Sequence, residues 1–256
     1  AVVGCMRSLQ ELNASIARLT TSGYLGKKAK ENKDIIEGLQ QDITTDSCSK
    51  EFNLYAKQTY LDNIIRGGYP ITFTSPFAEN TGSVFYLYSR KHGDLERDYN
   101  KFQIQPAYFS QGNGNYRDMN QNRRCDAWFN PDIKDENLIS FFNLIQADGF
   151  NPLVIKGISF LFKGDKDALK NAAEKEEILQ ILSFLNKPFT PGDLILFLEE
   201  EKINLKVSYE EFLGLVISHS IKIQEAEHGE GFWTDHWHYN LDLLGNYLGL
   251  YPEKLK

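Results

Sequence analysis

Leu9, Leu12, Ile16 and Leu19 recur three and four residues apart, and Gly23 follows them. That spacing predicts an amphipathic helix ending before the glycine. Ile35, Ile36, Leu39 and Ile43 make a second apolar stripe, and Leu54, Leu61, Ile64 and Ile65 a third, closed by Gly67 and Gly68. These helices are expected to pack on one another or on the rest of the protein. At Tyr69 the pattern changes. Ile71, Thr72 and Phe73, then Val84, Phe85, Tyr86, Leu87 and Tyr88, are β-branched or aromatic runs bounded by Pro70, Pro76 and Gly82. Short strands are predicted there. Residues 89–135 show no period and read as one long loop, a length that is uncommon unless the loop is functional.

Helical periodicity then returns. Asp135 is placed to cap a helix whose inner face is Leu138, Phe141, Phe142 and Ile145, with Gly149 at its end. Asp165 or Asp167 starts another, and Ile178, Leu179, Leu182 and Leu185 point inward from the next. Thr190 before Pro191 marks a further start. Ser208 with Glu211 forms a capping box ahead of Phe212, Leu215 and Val216, and His219 continues that stripe as a core histidine. Glu199, Glu200 and Glu201 read as a solvated face. A glycine-rich turn over 228–235 precedes a last helix through Leu241, Leu244 and Leu248. The chain therefore reads as mainly α with a few short strands, in four segments: 1–67, 68–163, 164–227 and 228–256. Segment 164–227 looks like a helical insertion.

The 256 residues are enough for one large domain or two small ones, and 41% hydrophobic with 25% charged residues is ordinary globular composition. A net charge of -7 argues against nucleic acid as a partner and suits a neutral substrate. Three scattered cysteines, Cys5, Cys48 and Cys125, form no disulfide framework or zinc spacing, which favours a reducing, cytoplasmic setting. No apolar run is long enough to span a bilayer, so no membrane partner is expected. Aromatics reach 13% and mix with amides, carboxylates and guanidinium groups, as sugar sites do.

Three stretches carry candidate chemistry. Residues 88–99 pack Arg90, His92 and Asp94 between Tyr88 and Tyr99. They read either as a surface loop tied by ion pairs or as the wall of a polar pocket. Residues 108–128 hold Gly112 and Gly114, then Arg117, Asp118, Gln121 and Asn122. A guanidinium fork beside a carboxylate and two amides can donate to and accept from sugar hydroxyls; a capping network is the alternative. No Gly-Lys-Ser/Thr follows the glycines, so a phosphate loop is not indicated. Residues 228–239 present Phe232, Trp233, Asp235, His236 and Trp237 where a helix begins. There Asp235 or Thr234 is either a helix cap or, flanked by indoles, a sugar ligand. His228, His236 and His238 do not suit a metal, because positions two apart on a helix diverge. Acidic candidates for protonating a glycosidic oxygen are Asp118, Asp126, Glu227, Glu230 and Asp235, with Asp235 the best placed.

The second and third stretches resemble the inverting glycoside phosphorylases of the cellobiose, chitobiose and β-glucan phosphorylase group. Tyr116, Arg117, Asp118 and Gln121 match an aromatic-Arg-Asp-x-x-Gln pattern. Thr234, Asp235, His236 and Trp237 are similar to a Ser-Asp-Asp-His-Leu-Trp motif, with one acidic residue fewer. The order of the two motifs agrees, and the likeness covers about residues 86–249. It implies an (α/α)6 barrel, here incomplete, in which Asp235, Arg117 and Asp118 line the sugar subsites; Gln121, Asn122, Trp233, His236 and Trp237 are the other substrate-binding candidates of these stretches. It further implies glycosyl transfer to inorganic phosphate as co-substrate, with no cofactor and no metal. The general acid would lie in a later barrel segment, so the partners are an oligosaccharide and the rest of the same polypeptide. An inverting glycoside hydrolase and a non-catalytic sugar-binding segment are the other readings.

Overall fold

The computed structural model describes residues 6, 8–76, 82–87, 107–229 and 233–255. Arg90, His92 and Asp94, with the rest of stretch 88–99, lie outside the described residues, as do Glu230 and Phe232. The chain divides into two compact units, Ala1–Asp62 and Asn63–Lys256.

In the first unit the predicted helices form. Helix α1 (Leu9–Leu19) is capped by Ser8, whose hydroxyl accepts from the Glu11 amide at 3.1 Å. Gly23 takes a left-handed conformation with φ of 87° and opens α2 (Tyr24–Leu39). A 3-10 turn, Gln40–Ile43, follows, and α3 (Lys50–Gly67) begins in this unit. The apolar stripes stay solvated: Leu9 is 72% exposed and neither α1 nor α2 contains a buried residue. A one-sided stripe specifies a helix whether or not another element covers it. Tyr60 is buried here and donates its hydroxyl to Asp42 Oδ2 at 3.0 Å.

The second unit runs β1 (Tyr69–Phe73), β2 (Ser83–Leu87), β3 (Gly114–Asn115), α4 (Tyr116–Arg123), α5 (Asp126–Phe129) and α6 (Glu136–Phe142). Next come β4 (Val154–Ile155), β5 (Ser159–Phe162), α7 (Lys166–Leu169), α8 (Lys175–Leu185), α9 (Pro191–Glu200) and α10 (Tyr209–Ser218). The unit ends with β6 (Ser220–Ile223), β7 (Ala226–Glu227) and α11 (Thr234–Leu250). The described fold is mainly helical with a few short strands.

Its larger core joins β1, β2 and β5 to α7–α10. Phe73, Phe85, Phe160 and Phe189 form a chain of ring contacts at 5.9, 6.3 and 6.2 Å between centroids. Residues of segment 164–227, among them Ile181, Leu194 and Phe212, therefore share one core with Phe73 and Phe85. The predicted caps are present. Asp165 accepts from the amides of Asp167 and Ala168, and Thr190 and Ser208 each form a capping box. Asp135 sits at the α6 cap position without a side-chain cap bond.

The smaller core is Tyr116, Met119, Phe141, Ile155 and Leu243, from α4, α6, β4 and α11. It rests on a three-stranded antiparallel sheet in the order β3-β4-β7. One expectation is corrected here. Residues 89–135 are not all loop, since α4, α5 and a 3-10 turn at Pro131–Ile133 lie within them. Helix α4 was hidden because its inner face mixes Tyr116, Met119, Asn120 and Arg123 and so has no apolar period. On α11 the inner positions are His236, Asn240 and Leu243, whereas Leu241 is 61% exposed. Polar residues hold that face because they meet polar partners on α4. Among the described residues no helix is long and apolar enough to cross a membrane.

Candidate functional site

The site is assembled where α4 and α11 begin. Asn115 ends β3 and caps α4: its Oδ1 accepts from the Arg117 amide at 3.1 Å and the Asp118 amide at 3.4 Å. Gly114 leaves room for the buried Met119 side chain, because a Cβ there would lie 1.8 Å from Met119 Sδ. Tyr116 consequently enters the core, fully buried, and the adjacent Arg117 faces outward, 35% exposed.

Arg117 joins two carboxylates. Its Nε donates to Asp118 Oδ1 at 3.1 Å and its Nη1 to Asp235 Oδ2 at 3.3 Å. Burial disfavours the guanidinium charge, yet Asp118 and Asp235 outweigh it and raise Arg117 above its ordinary value. Helix α11 starts at Thr234, so Trp233 is the cap residue and Asp235 lies in the first turn, with no side-chain cap bond at this end. Neither Thr234 nor Asp235 is the helix cap.

His236 lies behind this pair, 3% exposed, between the rings of Tyr116 at 5.3 Å and Trp233 at 6.0 Å. Burial lowers its pKa, keeping the imidazole neutral. Among the described residues its Nδ1 has no hydrogen-bond partner. Trp233 remains 37% exposed beside Asp235 and so offers an indole surface to solvent.

The structure thus brings together Arg117, Asp118, Trp233, Asp235 and His236. It leaves three expected residues in other roles. Trp237 donates its Nε1 to the Gly149 carbonyl at 3.2 Å. Asn122 Nδ2 donates back to the Asp118 carbonyl at 2.6 Å, a bond within its own helix. Gln121 is exposed, and among the described residues no side-chain hydrogen bond ties it to the set. Glu227 is paired with Lys156 at 3.3 Å on the strand surface. His219 is the α10 cap residue, half-buried, with Nδ1 on the Leu215 carbonyl at 3.0 Å. Among the described residues no three His, Cys, Asp or Glu side chains could hold a metal ion.

Two polar networks carry no signal in the apolar pattern. In one, Tyr86 donates to Asp126 Oδ2 at 2.9 Å and accepts from Asn137 Nδ2 at 2.7 Å, while the buried Arg123 guanidinium lies 3.6 Å from the Tyr86 ring centre. Burial pushes the Asp126 carboxyl up to about 7, with Tyr86 and Arg123 pulling the other way. This network ties β2 to α4 and α6 and is separate from the Arg117–Asp235 pair. In the other, Asn120 and Tyr116 of α4 meet Asn240 of α11, all three fully buried. The signal available in sequence was the four-residue spacing of hydrogen-bonding residues, 116 with 120 and 236 with 240. Comparison with family models, with curated proteins and with solved structures gave no match.

Proposed function

We propose that this chain forms the sugar-binding part of an inverting glycoside phosphorylase that cleaves a β-glucoside or β-glucan with inorganic phosphate, on an (α/α)6-barrel framework. One observation carries the reading. The Arg117–Asp235 contact at 3.3 Å joins side chains 118 positions apart, one from each of the two stretches that resemble that family. A half-exposed guanidinium fork held by the buried Asp118, the accessible Asp235 carboxylate and an exposed indole supply what a pyranose ring needs: donors and acceptors for its hydroxyls, and a flat surface for its C–H face. Asp118 and Asp235 around Arg117, with His236 neutral, leave this set at a formal charge of minus one, which disfavours an anion. Phosphate is therefore assigned to other groups, and Asp235 to a sugar hydroxyl rather than to proton transfer. Incubating the full-length polypeptide that contains this chain with β-linked gluco-oligosaccharides should release a sugar 1-phosphate only when inorganic phosphate is present. Free sugar released at the same rate without phosphate would reject phosphorolysis in favour of hydrolysis.

A further inference from the structure

Helices α4 and α11 meet in two layers. In the first, Tyr116 stacks on His236 at 5.3 Å and 28°. One turn further along each helix, Asn120 Nδ2 donates to Asn240 Oδ1 at 2.6 Å. The layers are cross-linked, since the Tyr116 hydroxyl shares its one proton between Asn240 Oδ1 at 2.9 Å and the Phe141 carbonyl at 3.1 Å. Asn240 Nδ2 donates in turn to Asn151 Oδ1 at 3.3 Å, on the segment leading into β4. Asn240 thus binds α4, α11 and that segment from a fully buried position. Arg117 and Asp235 flank the ring layer, one on each helix, and are each adjacent in sequence to a ring of that layer.

We propose that Asn240 is a positioning residue for the sugar site: it sets the register of α11 on α4 and so the approach of Asp235 and Trp233 to Arg117. Apolar side chains could hold two helices together but would let them slide, because dispersion contacts are non-directional. A buried amide that must meet a hydroxyl and two further amides fixes one register, and any slip leaves it unpaired in the core. The consequence for sugar rests on the function proposed above; the register itself does not.

The two parts separate experimentally. His236 lies between two aromatic rings, so its ring protons should resonate well upfield of a solvated histidine. In folded Asn240→Ala the share of the upfield displacement that comes from Tyr116 on α4 should be lost, while that from Trp233 on the same helix stays, and affinity for a β-linked gluco-oligosaccharide should fall about tenfold or more. Asn120→Ala, which removes a single bond of the amide layer, should move both readouts the same way by less, and it decides the matter if Asn240→Ala does not fold. Unchanged His236 resonances in a folded variant would overturn the register claim, because loss of stability alone does not move a ring proton in the folded state. Shifted resonances with unchanged sugar affinity would overturn the positioning role. A wild-type protein that binds no sugar would reject the proposed function and leave the register claim to the resonances.

Discussion

Asp126 and His236 each have a pKa that differs between the folded and unfolded chain, so each makes stability depend on pH. The Asp126 carboxyl is raised from 3.8 to about 7, so its protonated form is the one the fold favours. Its contribution is complete at low pH and is lost as pH rises from about 4 through 7, a change of about 4 kcal/mol for a shift of this size. Asp126→Asn should flatten that loss with rising pH, measured as the unfolding midpoint in denaturant at pH 5 and pH 8.5; a wild-type midpoint that does not fall between those pH values would contradict it. His236 works in the opposite direction. Its pKa is lowered, so the neutral form is favoured and stability falls as pH drops through about 6.5 and below. Arg117 and Asp235 behave differently, being 35% and 46% exposed in their side chains. Replacing either by Ala should change stability by less than about 1 kcal/mol, because exposed ion pairs contribute little. A larger loss would assign the pair to structure rather than to a ligand.

Among the elements, those legible in the sequence are the ones whose signals are local. Ser8, Asp165, Thr190 and Ser208 cap their helices as their spacing to the next amides predicts. Thr190→Ala should accordingly cost about 1 kcal/mol, read as a lowered thermal midpoint. Helix α4 was illegible because Arg117, Asp118, Asn120, Asn122 and Arg123 give it no apolar stripe, and burial of Asn120 and Arg123 depends on partners far along the chain. For the same reason the buried polar positions of α11 were illegible. Its inner positions are set by Tyr116 and Asn120, which no window around residue 240 contains. The convergence of Arg117 with Asp235 was expected only through the family likeness, since spacing alone says nothing about contacts between distant segments. Helix α10 shows tertiary packing reversing a local preference. Alanine normally stabilises a helix relative to glycine by up to about 1 kcal/mol. At Gly214, however, a Cβ would lie 1.8 Å from the Thr74 carbonyl oxygen. Gly214→Ala should therefore destabilise by about 1–3 kcal/mol, and a raised unfolding midpoint would show that α10 can move away from Thr74.

At the scale of the molecule, burial is uneven. Phe212, Leu213 and Val216 of α10 are fully buried, whereas α1 and α2 contain no buried residue. Amide hydrogen exchange should be slowest in α10 and fastest in α1 and α2, whose opening exposes almost no new apolar surface. Comparable protection in both would mean that the first unit's apolar stripes are covered in solution. Two of the second unit's cores differ in chemistry. The larger is aromatic and aliphatic, while the smaller is threaded with asparagine, and the smaller one carries the candidate site. That division suits a fold in which one part supplies stability and the other supplies geometry. The central claim is that Arg117, Asp235 and Trp233 together form a sugar site, and equilibrium titration with a β-linked gluco-oligosaccharide, followed by calorimetry, tests it most directly. A saturable heat of binding that is abolished in Arg117→Ala, Asp235→Ala and Trp233→Phe, with all three variants folded, is the predicted result. No saturable signal in the wild type, or binding that survives all three replacements, would contradict it.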